Sequence, residues 1–180
     1  MIKIVNIKDT FVYPIFKNGK SSIEQYAKTH RSRWLLNEQC NQTEFVTVFL
    51  RDPQQRFISG VHSFIEFEKR KNKNLDYDTM LYAIEHYNVT NEHFLSQYRW
   101  IENLRKYFFR SLILRSVDDL YNFIPNRDTP RIPKITEEQR TKISKIQFKE
   151  LTYDKILFNN CVGRTIPIDQ LLIEINNEVS

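Results

Sequence analysis

Residues 44 to 50, EFVTVFL, form a near-continuous apolar run of strand length that stops at Arg51-Asp52-Pro53. A strand with one wet face alternates polar and apolar residues. A run without alternation is buried on both faces, as in a parallel sheet covered by helices. The next residues suit a helix start: Asp52 can cap it, and Pro53 fits the first helical position, where its missing N–H is not needed. Phe57, Ile58, Val61, Phe64 and Ile65 then recur at helical spacing, up to the charged tail EKRKNKN.

The same alternation of strand and helix continues along the chain. Residues 2 to 7 and 10 to 15 are rich in β-formers, and RSRWLL (31 to 36) reads as a short strand. A helix is predicted from Ser21 or Ser22 to about Lys28, another over 78 to 87, and another across HFLSQYRWIENLRKYF. FRSLILRS (109 to 116) reads as a second buried strand, with VDDLYNFI as the helix after it. PNRDTPRIPK is a Pro-rich basic loop, Thr136 opens a helix with the capping box T-E-E-Q, and YDKILFNNC and IDQLLIEINNE are the last helices. The expectation is an α/β fold, one domain over residues 1–180, with a mainly parallel sheet flanked by helices.

The net charge of +5 favours anionic ligands. The 27 basic residues are dispersed and nearly matched by 22 acidic ones, which disfavours a nucleic-acid-binding face. Cys40 and Cys161 have no metal-ligand spacing and are expected reduced, in a cytoplasmic protein. No apolar run approaches the roughly 18 residues of a membrane span, and MIKIVNIKDT is too polar for a signal sequence. His62 and His86 are expected on helix surfaces.

In open α/β sheets, ligands bind beyond the carboxyl ends of the strands. Two strand-to-helix turns therefore stand out. The first is Lys17-Asn18-Gly19-Lys20-Ser21-Ser22, whose amides, ammonium groups and hydroxyls can converge on a phosphate. Its Gly19-Lys20-Ser21 looks like the tail of a nucleoside-triphosphate loop, but the first glycine of that motif would fall at Pro14. The second is Arg51-Asp52-Pro53-Gln54-Gln55-Arg56-Phe57-Ile58-Ser59, which puts a guanidinium at a strand end and a hydroxyl two helical turns on.

Together these turns resemble the motifs of the sulfotransferases that use 3′-phosphoadenosine 5′-phosphosulfate. The first resembles P-K-x-G-x-[ST]-[ST], with Phe16 in place of the proline and Lys20 at a usually small position. The second resembles R-[DN]-P-x-x-[RK]-[FY]-x-S without a gap. NEHFLSQ (91 to 97) resembles the D-x-H-[WF]-x-P-Q segment of carbohydrate sulfotransferases, with Ser96 replacing the proline, and IPNRDTPRIPKITEEQRTKISKIQFKELTYDKILF (124 to 158) resembles their C-terminal stretch, an N-x-[ST] loop, then a T-x-E helix, then a Y-x-x-D-x-x-[LF] segment. The resemblance covers about residues 10 to 158.

It implies a P-loop-like sulfotransferase fold and transfer of a sulfuryl group from the phosphosulfate donor to an acceptor hydroxyl or amine, on a carbohydrate or other small hydroxyl compound, without a metal. Lys17 would stabilise the leaving phosphate. Asn18, Gly19, Lys20, Ser21 and Ser22 would bind the 5′-phosphosulfate, and Arg51 and Ser59 the 3′-phosphate. Arg127, Thr129, Arg131 or Lys134 of the basic loop would close over the nucleotide. The general base would be His93, with Glu38, His30 and Glu24 as alternatives. The competing expectations are a P-loop phosphotransferase using ATP and Mg²⁺, and a non-catalytic module binding nucleotides or glycans.

Overall fold

A computed structural model describes residues 1–87, 89, 91–125 and 133–179. Six strands form one sheet in the order β3-β1-β2-β4-β5-β6. The chain begins with β1 (Lys3–Ile7) and β2 (Thr10–Val12), joined by Lys8 and Asp9. Both turn residues have positive φ, 47° and 63°, the sign a two-residue turn needs to match the right-handed twist of a hairpin. Helix α1 (Lys20–Thr29), β3 (Trp34–Leu36) and a short 3-10 segment, Asn37–Gln42, follow.

The apolar run becomes β4 (Phe45–Leu50), and Asp52 and Pro53 start α2 (Pro53–Lys71), the Asp52 side chain accepting from Gln55 N at 2.8 Å. Then come α3 (Tyr77–His86), α4 (Gln97–Leu104), β5 (Ser111–Ser116), α5 (Val117–Phe123), α6 (Glu137–Ser144), α7 (Glu150–Cys161), β6 (Thr165–Pro167) and α8 (Ile168–Val179). The capping box at Thr136 forms in both directions with Gln139.

The sheet is mixed, not mainly parallel. β2, β4 and β5 run parallel, while β1 is antiparallel to both β2 and β3, and β6 is antiparallel to β5. The reason lies in the connections. A two-residue turn can only join antiparallel neighbours, whereas the crossovers through α1 and α2 are long enough to return parallel. β6 carries no apolar run, and the sequence reading missed it. The predicted helix over 93 to 108 is shorter than expected: Ser96 caps it by accepting from Arg99 N, and residues 92–95 form a turn instead.

Helices cover both faces. On one, Val46, Val48, Leu50, Leu112 and Leu114 pack with Ile101 and Leu104 of α4, Leu157 of α7, and Leu171 and Ile175 of α8. On the other, Val5, Ile7, Val12 and Phe49 meet Ile23 and Ala27 of α1 and Leu120 and Ile124 at α5. A third cluster joins α2, α3 and α6 through Val61, Ile65, Leu81, Ile84 and Ile143. Each fully buried Leu, Ile or Val contributes on the order of 2 kcal/mol, which makes these clusters the main holding force. Among the described residues, no helix is long and apolar enough to cross a membrane.

Candidate functional site

β2 and β4 are parallel neighbours, so the chain leaves both at the same end of the sheet. This brings the Lys17–Ser22 turn beside Arg51. Lys17 itself has φ 68° and Gly19 φ 80°. At Gly19 a side chain is disfavoured twice: by the left-handed backbone, and because a Cβ would lie 2.3 Å from Leu120 Cδ2, which would have to shift. Gly19 caps α1 by backbone conformation and offers no side chain to the first amides, and the first turn has no acidic residue. Such an end carries partial positive charge.

Three cations gather there. Arg51 lies half-buried at the end of β4, Lys17 is half-buried in the turn, and Arg56 is almost wholly buried on α2. Burial and the charges of Arg51 and Arg56 push the Lys17 ammonium down to about 8. Arg56 is likewise pushed down to about 10, mainly by burial. Like charges this close destabilise one another, and an anion relieves the repulsion.

Hydrogen bonds hold the arrangement. Arg56 donates from Nε and a terminal nitrogen to Phe16 O, at 3.2 and 3.1 Å, which pins the carbonyl before Lys17. Lys17 Nζ donates to Ser63 Oγ at 2.5 Å, and the Ser63 hydroxyl in turn donates to Ser59 O at 2.7 Å. Asn18, 1% exposed, donates from Nδ2 to Phe49 O and to Gln97 Oε1, at 2.8 and 2.6 Å. Gln97 also bonds both backbone groups of Arg51, accepting from its N and donating to its O, each at 2.9 Å. Asp154 on α7 accepts from Gln97 N and Tyr98 N, both at 2.9 Å. Burial pushes its carboxyl up to about 6, against the pull of Arg56 and these two bonds.

His93 joins this group. Its ring packs edge-on against Phe16, with centroids 4.7 Å apart, and lies 5.5 Å from Phe67. Burial and then Lys17 lower its pKa, with Lys20 adding to the effect and Glu92 and Glu68 opposing it. Nδ1 lies 2.6 Å from Asn91 Oδ1, an atom that can only accept, so Nδ1 carries a proton and Nε2 holds the lone pair of the neutral ring. Gly60 makes room for this segment. A Cβ there would lie 2.1 Å from His93 O.

The other predicted residues divide. Lys20 and Ser21 lie in the first turn of α1, Ser21 exposed and Ser22 buried, and Lys20 Nζ lies over the Phe16 ring, 5.0 Å from its centroid. Glu24 is exposed, 3.9 Å from Lys20. His30 follows the far end of α1, about 15 Å along the helix from its start, stacked on Tyr26. Glu38 is exposed in the 3-10 segment beyond β3, the sheet edge separated from β4 by β1 and β2. Arg127, Thr129 and Arg131 lie outside the described residues, and Lys134 is exposed. His62 is buried rather than on the surface: Nε2 donates to Pro133 O and Nδ1 accepts from the Tyr77 hydroxyl, at 3.0 and 3.1 Å.

Sequence reasoning missed the site roles of Arg56, Ser63, Gln97 and Asp154. Arg56, Gln97 and Asp154 stood inside quoted motifs, but nothing in their spacing said that their side chains face one point. No protein-family model, no curated protein and no solved structure matches this chain.

Proposed function

We propose that the protein is a sulfotransferase that binds 3′-phosphoadenosine 5′-phosphosulfate at the ends of β2 and β4. The observation that carries this reading is the gathering of Lys17, Arg51 and Arg56 beside the open start of α1, a set of like charges that an anionic ligand would relieve. A nucleotide with anionic groups at both its 5′ and 3′ positions matches two adjoining clusters, the Lys17–Ser22 turn and the Arg51–Ser59 turn. A P-loop-like arrangement of strand, loop and helix provides the first of them.

In this reading Lys17 stabilises the charge that develops on the leaving phosphate as the sulfuryl group moves to the acceptor oxygen. The amides at the start of α1 and the Ser21 and Ser22 hydroxyls hold the phosphosulfate, while Arg51 and Ser59 hold the 3′-phosphate. His93, neutral at pH 7, takes the acceptor proton at Nε2. A carbohydrate hydroxyl is the proposed acceptor.

Adenosine 3′,5′-bisphosphate, the product nucleotide, is expected to raise the melting temperature by mass action. A folded protein that saturating bisphosphate leaves unshifted would sink the reading, and a larger shift from ATP and Mg²⁺ would favour a phosphotransferase instead. With labelled donor and a panel of glycans, phenols and lipids, Lys17→Ala is expected to lower transfer at least about a hundredfold.

A further inference from the structure

We propose that Gln97 is the positioning residue that sets the separation between Lys17 and Arg51, and thereby the fit of any ligand that spans the two. One carboxamide reaches both sides: Oε1 accepts from Asn18 Nδ2 at 2.6 Å and from Arg51 N at 2.9 Å, and Nε2 donates to Arg51 O at 2.9 Å. Its orientation is forced. Arg51 N needs an acceptor and Arg51 O a donor, so Oε1 must face Asn18, and Asn18 must present its NH₂.

Gln97 belongs to neither turn. It sits at the start of α4, fully buried, with its own N held by Asp154 on α7. The link is a poor device for stability alone, because it leaves Asn18 Oδ1 buried without a partner among the described residues. An orphaned acceptor of that kind costs about 1–3 kcal/mol. What the link does achieve is a fixed distance between a strained, left-handed Lys17 and the end of β4. The charged and titratable groups around Lys17 are Arg51 at the end of β4, Arg56 on α2, Lys20 on α1 and His93 from the segment before α4.

The ligand-binding part of this inference rests on the donor reading above; the placement of Lys17 does not, and the test separates them. In the ligand-free protein, acylation of Lys17 by acetic anhydride is followed against pH by mass spectrometry. Half-maximal labelling is expected near pH 8 in the native protein, and on the order of one pH unit higher in Gln97→Met, as Lys17 moves away from Arg51 and gains water. Asn18→Ala, which breaks the same link from the other side, is expected to give the same shift, and the double variant no more than either single one. Asn18→Ala carries the test by itself where Gln97→Met does not fold cooperatively. A labelling curve that stays in place in a folded variant overturns the proposal.

In the second arm, adenosine 3′,5′-bisphosphate is expected to bind Gln97→Met about tenfold more weakly, while AMP, which has only the 5′-phosphate, loses about twofold or less. Equal losses for both nucleotides overturn the positioning role in favour of general loosening. A native protein that binds no bisphosphate, together with a Lys17 curve that moves, strikes the donor reading and supports the placement.

Discussion

At the scale of single residues, Lys17 combines a left-handed backbone, partial burial and two cationic neighbours. Each is unfavourable in isolation, and each has an identified restraint: Arg56 on the carbonyl before it, Gln97 on the side chain after it, Ser63 on its ammonium. The consequence for pH follows from the sign of the shift. The unfolded chain binds the Lys17 proton with the ordinary pKa of 10.5 and the folded chain with about 8. Between those values the unfolded state holds more protons, so this residue makes stability rise with pH across the window. An anion in the site restores the ammonium, so binding takes up a proton near pH 8. The melting shift given by adenosine 3′,5′-bisphosphate is therefore expected to be smaller at pH 9 than at pH 7, and scanning fluorimetry at the two values checks it. Titration of His93 does not produce this trend, because its pKa lies below the ordinary 6.5.

At the scale of elements, α2 carries the most. Its start is set by Asp52 and Pro53, its second turn presents Arg56 and Ser59, and Ser63 meets Lys17. Gly60 sits among these residues because the backbone at His93 lies against it. In an exposed helix Gly→Ala gains about 1 kcal/mol. Here Gly60→Ala is expected to lose about 1–3 kcal/mol, because the Cβ meets a backbone carbonyl that cannot turn aside as a side chain would. Urea unfolding measures the loss, and a stabilised variant would contradict the packing. Much of this was legible in the chain: EFVTVFL ending at Arg51-Asp52-Pro53 marks β4 and the start of α2, and T-E-E-Q marks the start of α6. The sheet's direction was not, because β1 and β2 are short and their pairing is decided by Lys8 and Asp9, a turn with no glycine in which only Asp9 is of a type that favours the left-handed region. Within the site, Lys17 and Arg51 were legible as strand-end cations. Gln97 and Asp154 were not, since a polar residue in an amphipathic helix reads as solvated until the neighbouring helices are placed.

At the scale of the whole molecule, the site is stitched from four distant stretches of chain, around residues 17, 51, 97 and 154. Asp154 anchors the set by capping the start of α4 from α7 and by offsetting the buried charge of Arg56. Asp154→Ala leaves two buried amides without their acceptor and removes the carboxylate that offsets the buried charge of Arg56. It is expected to lower stability by about 3–5 kcal/mol and to weaken bisphosphate binding as well, whereas Lys17→Ala is expected to lose binding without lowering the melting temperature. Thermal melts of both variants, with and without nucleotide, distinguish the two patterns. The dependence on Asp154 also has a meaning in time. Contacts between residues so far apart in sequence close late, after local turns and helices have formed. A chain emerging from the ribosome as far as residue 110 already contains Lys17, Arg51 and Gln97, yet the carboxylate that holds Gln97 has still to be synthesised. In the proposed reading, capacity for the anion would arrive only once Asp154 has been made, and nucleotide retention on chains stalled before and after that residue would report it.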